Sequence, residues 1–429
     1  MVGLKITGKL RAYGRSKAFI IRGLPRPVEE FFIQATEAVI APAGPEDPPA
    51  PAPEDINIES GPMVTDSEGY IYMIGSYEES TNSDMLLTKY TSDLEEVWQI
   101  RLGRRGNNHG LDLTLDAAGD IIVAGYSNAR SGIERPMLIK VKPDSTVLWN
   151  QELETDTDGR HTSVTTDDQL FIHTVGLVVN STTGDHNFLY TKYDKDGNLI
   201  NQYIDEGLGD VDTPVIGDGA DGPVVGLPRE LGGSFDLLIM QLDFDGEVVW
   251  EQILDSETGY VAEDVMVGED GKIHLLGTKG KETEIVTTGP DETAPVIRDT
   301  ISDPGGGAIG GGSLAPRPGG GADVGATHTD TSGNKSVFVG SYNSGGSFDY
   351  QRRISTGNSG GFSFGGISSG GGGSSGPTIS GNYTRSGGGQ RRVTTRVSGR
   401  SGSYSTTSGG GWSSSSGSYR RKRRSYSYP

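Results

Sequence analysis

Side chains that could carry out catalysis or bind metal are few and scattered in this 429-residue chain. Its histidines are His109, His161, His173, His186, His274 and His328. They show neither H-x-x-x-H nor H-E-x-x-H spacing, and no G-x-S-x-G motif accompanies them, so we interpret them as ordinary strand and loop residues. The absence of cysteine removes thiol catalysis and thiolate metal sites. We therefore predict no enzymatic activity, no cofactor and no metal.

Two aspartate-rich stretches resemble fragments of calcium-binding loops. Residues 194–198 read Asp-Lys-Asp-Gly-Asn, and residues 243–246 read Asp-Phe-Asp-Gly. Glycine stands fourth in each rather than sixth, and the twelfth positions, Asp205 and Leu254, do not supply the glutamate of an EF-hand. Both stretches are better interpreted as hairpin turns between two strands.

Five glycines recur along the chain at intervals of 50 or 51 residues. They are Gly75, Gly125, Gly176, Gly226 and Gly277. Each closes a short apolar run, and each interval has room for four short strands with alternating apolar and polar residues. A period of about 40 to 50 residues with several short strands per unit is typical of the blades of a β-propeller.

Other residues recur with the same period, and each set of equivalent positions in the repeats is called a column below. A second strand, Met85 to Tyr90 in the first copy, follows the glycine strand, and a third strand carries Trp98, Trp149 and Trp250 at equivalent places. Asn201 takes that place in the intervening copy. A large aromatic residue in each unit gives neighbouring sheets something to bury between them, and such units are stable only when they are stacked.

These residues resemble a bacterial and viral β-propeller repeat family, whose units read D-x-x-G, I-Y-V-x-G, L-x-K-Y and W. Residues 66–75 and 116–125 fit the first two elements, whereas the turns at 167–169 and 218–222 depart from them. The resemblance covers residues 56–290. It implies an all-β fold, a β-propeller of about five to seven four-stranded blades, and a family that includes structural proteins of bacteriophages.

The ends of the chain differ in composition from the repeats. Residues 1–40 are predicted to be a β segment, either a degenerate blade or an anchor, and the proline-rich residues 41–55 a linker. Residues 291–429 are predicted to be a Gly/Ser-rich arm, which has too little apolar surface to fold in isolation. A further degenerate blade is possible at 328–354, because residues 345–349 repeat the sequence of residues 232–236.

Charge is divided sharply between the body and the C-terminus. Residues 351–429 contain twelve Lys and Arg and no Asp or Glu, so their net charge is +12. Because the whole chain has a net charge of −20, residues 1–350 carry −32. The densest cluster is Arg420, Arg421, Lys422, Arg423 and Arg424. It would suit an acidic protein surface, the phosphates of a nucleic acid, or no specific partner. We favour the acidic protein surface over nucleic acid.

The sequence and the family resemblance together lead to one expectation about function. We expect a non-enzymatic structural protein of a bacteriophage virion, located in the particle and contacting other virion proteins, copies of itself or a host-surface glycan. The first 25 residues lack an uninterrupted apolar core, so neither a signal peptide nor insertion into a membrane is expected. The alternative is a bacterial surface or extracellular β-propeller that binds carbohydrate or protein.

Overall fold

The computed structural model describes residues 57–408, apart from gaps at 80–81, 104–105, 129–131, 206, 232–233, 255–259, 290–295, 318, 355–361, 369–376, 385–389 and 398–403. These residues form seven antiparallel sheets of four strands each. Every sheet uses four consecutive strands in chain order. The sheets are called blades 1 to 7 below. The structure therefore confirms the all-β propeller, with seven blades among the described residues.

The first four blades cover the repeats that the glycine spacing identified. Blade 1 contains β1 (Asn57–Thr65), β2 (Ile71–Glu79), β3 (Asn82–Tyr90) and β4 (Glu96–Leu102); blade 2 contains β5 (Asn108–Leu115), β6 (Ile121–Ser127), β7 (Arg135–Val141) and β8 (Val147–Glu152). Blade 3 contains β9 (Gly159–Thr166), β10 (Ile172–Val179), β11 (His186–Tyr193) and β12 (Leu199–Asp205); blade 4 contains β13 (Val215–Gly217), β14 (Val224–Leu231), β15 (Ser234–Leu242) and β16 (Val248–Leu254).

The last three blades continue well beyond residue 290. Blade 5 contains β17 (Tyr260–Val267), β18 (Ile273–Lys279), β19 (Glu282–Thr288) and β20 (Ile297–Ile301); blade 6 contains β21 (Ala308–Pro316), β22 (Ala322–Thr329), β23 (Lys335–Tyr342) and β24 (Phe348–Ile354). Blade 7 contains β25 (Phe362–Ser368), β26 (Thr378–Thr384), β27 (Gln390–Val397) and β28 (Tyr404–Ser408).

The blades form a closed ring, with the first strand of each sheet innermost. The strands β1, β5, β9, β13, β17, β21 and β25 contact one another in turn, and β25 returns to β1. Among the described residues, two side-chain hydrogen bonds join blade 7 to blade 1: the hydroxyl groups of Thr65 and Ser368 are hydrogen-bonded, and the Ser380 hydroxyl donates to the Gly61 carbonyl at 3.4 Å. Because each blade is made of consecutive strands, the ring closes by packing between blades 7 and 1 and not by a shared sheet.

Part of the segment predicted to be a Gly/Ser-rich arm lies inside the ring. The predicted propeller boundary at residue 290 falls between the third and fourth strands of blade 5, and strands β20 to β28 lie beyond it. Within 328–354, the turn at residues 330–333 leads into β23, the third strand of a sheet that already began at Ala308. Glycine and serine dilute the apolar alternation in these strands, and the neighbouring blades supply the buried surface that they lack. Residues 1–40 and 41–55 lie outside the described residues.

Apolar side chains are buried mainly between blades. One cluster joins Ile74 and Leu87 of blade 1 to Leu113 and Val123 of blade 2, and all four are at most 5% exposed. Similar clusters join blades 3 and 4, 4 and 5, and 5 and 6. Since the two faces of a strand alternate, each inner strand packs against both of its neighbours. No single blade therefore holds the whole core.

The tryptophan column joins neighbouring blades at their outer strands. Trp98 donates from Nε1 to the Pro143 carbonyl of blade 2 at 3.0 Å, and Trp149 donates to the Lys195 carbonyl of blade 3 at 3.1 Å. The acceptors are in the turns between the third and fourth strands of the next blade. The outer strands of blades 1 and 2 are thus fixed to the following blade as well as to their own sheets.

At Gly125 and Gly176 the repeating glycine is required because a backbone carbonyl group approaches it closely. A Cβ atom added to Gly125 would lie 1.9 Å from the His109 carbonyl oxygen, and one added to Gly176 would lie 1.9 Å from the Arg160 carbonyl oxygen. In blade 6 the equivalent position, four residues after the start of the second strand, is Ala326. The glycine spacing therefore ends at Gly277 although the blades continue.

Among the described strands and turns there is no helix long and apolar enough to span a membrane.

Candidate functional site

Six of the seven innermost strands carry a β-bulge at a similar height around the propeller axis. The bulged residues lie between Ser60 and Met63, Gly110 and Asp112, His161 and Ser163, Ala262 and Asp264, Gly310 and Ser313, and Phe364 and Gly366. A bulge turns side chains away from the regular alternation of a strand. The bulges therefore direct several polar side chains toward the axis.

These bulges line a cavity of about 330 Å³ on the axis. Its lining includes Pro62, Asp112, Arg160, Thr162, Ser163, Val215, Glu263, Asp264, Ser313 and Phe364. The lining thus combines apolar residues with three acidic groups and one basic group. A cavity of this size with a few convergent polar groups is the ordinary setting for a small polar ligand.

Two buried aspartates link blades across this cavity wall. Asp112 Oδ2 of blade 2 accepts hydrogen bonds from the Ser163 hydroxyl at 2.7 Å and the Val164 amide at 3.0 Å, both in blade 3. Asp264 Oδ2 of blade 5 accepts from the Ser313 hydroxyl and the Leu314 amide of blade 6, each at 2.8 Å. The same aspartate–serine contact therefore occurs twice in the ring.

Both aspartates have a raised pKa. Burial raises the pKa of Asp112 to about 6, against the opposing effect of its hydrogen bond from Ser163. Burial raises the pKa of Asp264 to about 7, and the nearby negative charge of Asp112 raises it further. Desolvation disfavours the charged form of a carboxyl group, and a like charge adds to that effect. Near pH 7 a substantial fraction of Asp264 is therefore neutral.

The charged residues at the cavity mouth differ in how they are held. Glu263 accepts hydrogen bonds from the amides of Gly311 and Gly312, each at 2.6 Å, and from the Thr278 hydroxyl. Arg160 lines the same cavity and is partly buried. The Glu263 carboxylate is therefore engaged by blade 6, while Arg160 supplies a positive charge to the cavity.

The described residues contain no cluster of three His, Asp or Glu side chains suited to a metal ion. The six histidines lie in strands of four blades, and three of them share blade 3. His173 is buried between the Tyr190 hydroxyl at 2.8 Å and Asp167 at 3.2 Å. Burial lowers the pKa of His161 to about 3 and also lowers the pKa of His173 and His274. These three rings are therefore neutral at pH 7 and act in packing and hydrogen bonding.

The two calcium-loop fragments form hairpin turns, as the sequence indicated. Asp194 and Asp243 each accept from the amides two and four residues later, at 2.8 to 2.9 Å. Gly197 and Gly246 adopt φ of 83° and 88°, a conformation that favours glycine. The aspartate oxygens thus bind their own backbone and close the turn.

The sequence-predicted and structure-derived sites do not coincide. The cluster from Arg420 to Arg424 lies outside the described residues. The axial aspartates were not singled out in the sequence, although Asp112 and Asp264 each stand 13 residues before a repeat glycine, Gly125 and Gly277. An acidic residue at one register position of an apolar strand is the signal that could have identified them.

No protein-family profile and no curated protein matches this chain. Solved structures do match. A puromycin hydrolase matches with a TM-score of 0.52 and 12% identity over 78% of this chain and 51% of its own. An acylaminoacyl peptidase from Pyrococcus horikoshii matches with a TM-score of 0.50 and 11% identity over 79% of this chain and 51% of its own.

The β-propeller domain of the Trilobed protease from Pyrococcus furiosus also matches, with a TM-score of 0.48 and 11% identity over 79% of this chain and 95% of that domain. The chain spans about half the length of the puromycin hydrolase and the acylaminoacyl peptidase. At 11 to 12% identity these likenesses concern the fold and carry no information about activity.

Proposed function

We propose that this chain is a non-enzymatic β-propeller that acts through binding, as a structural component of a bacteriophage particle. The observation that carries the proposal is the use of the axial carboxyl groups: Asp112 and Asp264 accept hydrogen bonds from the next blade. Groups engaged in this way hold the ring together. A rigid ring presents its loops and outer strands in fixed positions for contact with other proteins.

Three further features support a particle component. The repeated residues resemble a family that includes bacteriophage structural proteins. Among them, Gly125 and Gly176 permit close backbone approach, and Trp98 and Trp149 donate hydrogen bonds to the following blade. The chain contains no cysteine, so its stability does not depend on an oxidising compartment. Its basic C-terminal cluster and acidic body complement each other in charge. We assign the partners as other virion proteins or copies of this chain, and a host-surface glycan as a further contact.

The test is the composition of purified particles. Particles from a lysate of the source, banded on a density gradient and analysed by quantitative mass spectrometry, should contain this chain in a fixed ratio to the other structural proteins. Recovery of the chain only in the soluble fraction would contradict the proposal. A salt wash of the particles serves as the control for loose adhesion, because surface attraction between charges is screened by salt.

The axial cavity favours a second candidate function, a surface or extracellular propeller that binds carbohydrate or protein. The positively charged Arg160 and the Glu263 carboxylate, which both line the cavity of about 330 Å³, would orient a polar or acidic sugar in it. A glycan array probed with the full-length chain and with Arg160→Ala tests this function. Binding that Arg160→Ala abolishes would support it, whereas no binding to any glycan would contradict it.

A further inference from the structure

Blade 3 exposes more apolar surface on its outermost strand than blades 1, 2 and 5 do. On β12, Leu199, Ile200, Tyr203 and Ile204 are 43%, 55%, 44% and 37% exposed. The outermost strands of blades 1, 2 and 5 each expose one large apolar residue, Val97, Leu148 and Ile297, whereas β16 of blade 4 exposes three, Val248, Val249 and Ile253. Large apolar side chains exposed next to one another, unlike scattered ones, indicate a contact surface.

The backbone of β12 is open to pairing as well. β12 pairs with β11 along one edge, and among the described residues no strand pairs with its other edge. An exposed edge strand accepts an extended peptide as an additional strand, with backbone hydrogen bonds providing affinity and alternate side chains providing specificity. β12 therefore offers a backbone template with exposed apolar side chains on both of its faces.

The surroundings of β12 are strongly acidic. Residues 199–254 contain twelve Asp and Glu against a single Arg. The blade 4 turn that contacts β12 contributes Asp245, which is 89% exposed in its side chain, and Glu247, whose negative charge acts on Tyr203. The nearby Lys195 is paired with Asp196 at 2.7 Å. A partner for this surface should therefore combine positive charge with aromatic or apolar side chains.

The C-terminus of the same chain has that composition. Five basic residues, Arg420 to Arg424, are followed by Ser425-Tyr426-Ser427-Tyr428. In an extended strand alternate residues share a face, so Tyr426 and Tyr428 would lie on one side together. We propose that residues 420–428 of a second copy add as a strand to the free edge of β12. Tyr426 and Tyr428 then pack on the exposed apolar residues of one face of β12, and the basic cluster lies along the acidic turns.

The place where the described residues end favours a second copy over the same copy. The last described strand, β28, ends at Ser408 in blade 7, and blades 3 and 4 are the blades farthest from blade 7 around the ring of seven. Ser408, where the described residues end, thus lies on the opposite side of its own ring from β12. A contact between two different surfaces is heterologous, and it builds either a closed ring of copies or a filament. This inference deepens the proposed function by naming one subunit contact.

The test is self-association of the purified full-length chain, measured by sedimentation velocity over a wide range of protein concentration. We expect oligomers whose association weakens at least about tenfold, or about 1.4 kcal/mol, in Ile200→Lys and in a variant with Ser at 420–424. Raising the salt concentration should weaken association of the unchanged chain. The matched control is Leu148→Lys, because Leu148 occupies in blade 2 the position that Ile200 occupies in blade 3. Leu148→Lys should associate like the unchanged chain.

Zero-length carbodiimide cross-linking of mixed light and heavy isotope-labelled copies identifies the contact. We expect links between Lys422 and Asp205, Asp245 or Glu247 that join a light copy to a heavy one. A monomer at every concentration, an equal effect of Leu148→Lys, or links confined to single copies would overturn the inference. Because this assay uses the isolated chain, its outcome is separate from the presence of the chain in particles.

Discussion

Asn201 donates a hydrogen bond from Nδ2 to the carbonyl oxygen of Asp245 in the next blade, at 2.5 Å. Trp98 and Trp149 make the corresponding contact from their indole nitrogens in blades 1 and 2. The residue that interrupts the tryptophan column therefore preserves the donor while losing the ring. In blades 1 to 3 the feature common to this register position is the hydrogen bond to the following blade, and in blades 1 and 2 aromatic packing adds to it.

This relationship predicts the effect of Asn201→Ala. Removing the donor should lower the free energy of unfolding by about 0.5 to 1.5 kcal/mol, which is the usual net contribution of one hydrogen bond. Urea unfolding followed by tyrosine and tryptophan fluorescence provides the measurement. Asn201→Trp, which restores an indole donor, should retain the stability of the unchanged chain. A loss in Asn201→Trp as large as that in Asn201→Ala would contradict this interpretation.

The Lys140–Asp116 pair predicts a larger effect. Lys140 Nζ lies 2.6 Å from Asp116 Oδ2, and the two side chains are 5% and 1% exposed. Lys140→Met leaves a buried carboxylate without its cation and should cost about 3 to 5 kcal/mol of stability. Adding Asp116→Asn to Lys140→Met should recover much of the loss, because the buried charge is then gone. Equal unfolding midpoints for the single and double variants would contradict the pairing.

Asp264 predicts a specific dependence of stability on pH. Its pKa is raised from 3.8 to about 7 in the folded state, so the folded chain binds more protons than the unfolded chain between those values. Stability contributed by protonated Asp264 is therefore present at low pH, falls as pH rises from about 4 to about 7, and is constant above that. Relative to Asp264→Asn, the loss should be on the order of 4 kcal/mol.

The measurement is the unfolding free energy of the unchanged chain and of Asp264→Asn at a series of pH values. Asn preserves an oxygen acceptor for the Ser313 hydroxyl and the Leu314 amide. Asp144→Asn is the control, because hydrogen bonds from Thr146 lower the pKa of Asp144. The contribution of Asp144 to stability therefore changes with pH in the opposite direction. A difference between the unchanged chain and Asp264→Asn that does not vary with pH would show that Asp264 ionises normally.

The close approach at Gly176 predicts that this position tolerates no side chain. In Gly176→Ala the new methyl group would lie 1.9 Å from the Arg160 carbonyl oxygen, so the bulge in β9 must move. We expect a loss of about 1 to 3 kcal/mol, comparable with overpacking of a core. Thermal unfolding measures it. Gly119→Asn is the matched control: Gly119 has φ of 82° and no atom within 4 Å of an added Cβ, so a small effect is expected there.

The sequence predicted the fold where the repeat residues have distinctive side chains or backbone requirements. Gly125 and Gly176 are fixed by close backbone approach, and Trp98 and Trp149 by contact with the next blade. The later blades escaped the same search because Ala326 replaces the repeat glycine in blade 6. Strands such as β25 and β26 contain glycine and serine where earlier blades have Ile, Leu and Val. Their strand pairing depends on neighbouring blades, which a local pattern does not reveal.

The candidate site was less accessible to sequence reasoning. Asp112 and Asp264 acquire their significance from burial and from serines about 50 residues later in the chain. Neither the bulges nor the distance across the ring can be derived from spacing alone. The exposed residues of β12 were equally hidden, because Ile200 and Leu148 resemble each other in sequence and differ in how many apolar neighbours share their strand.

The glycine-rich residues beyond 290 complete a closed ring by packing blade 7 against blade 1. The chain has no cysteine, so Thr65→Cys combined with Ser368→Cys introduces a single possible disulfide between residues whose hydroxyl groups are in contact. Under mild oxidation the account predicts near-complete cross-linking within the monomer and a raised unfolding temperature. Thr65→Cys with Ser332→Cys in an exposed turn of blade 6 is the control. Failure of the first pair to cross-link, or equal cross-linking of both pairs, would contradict a closed ring.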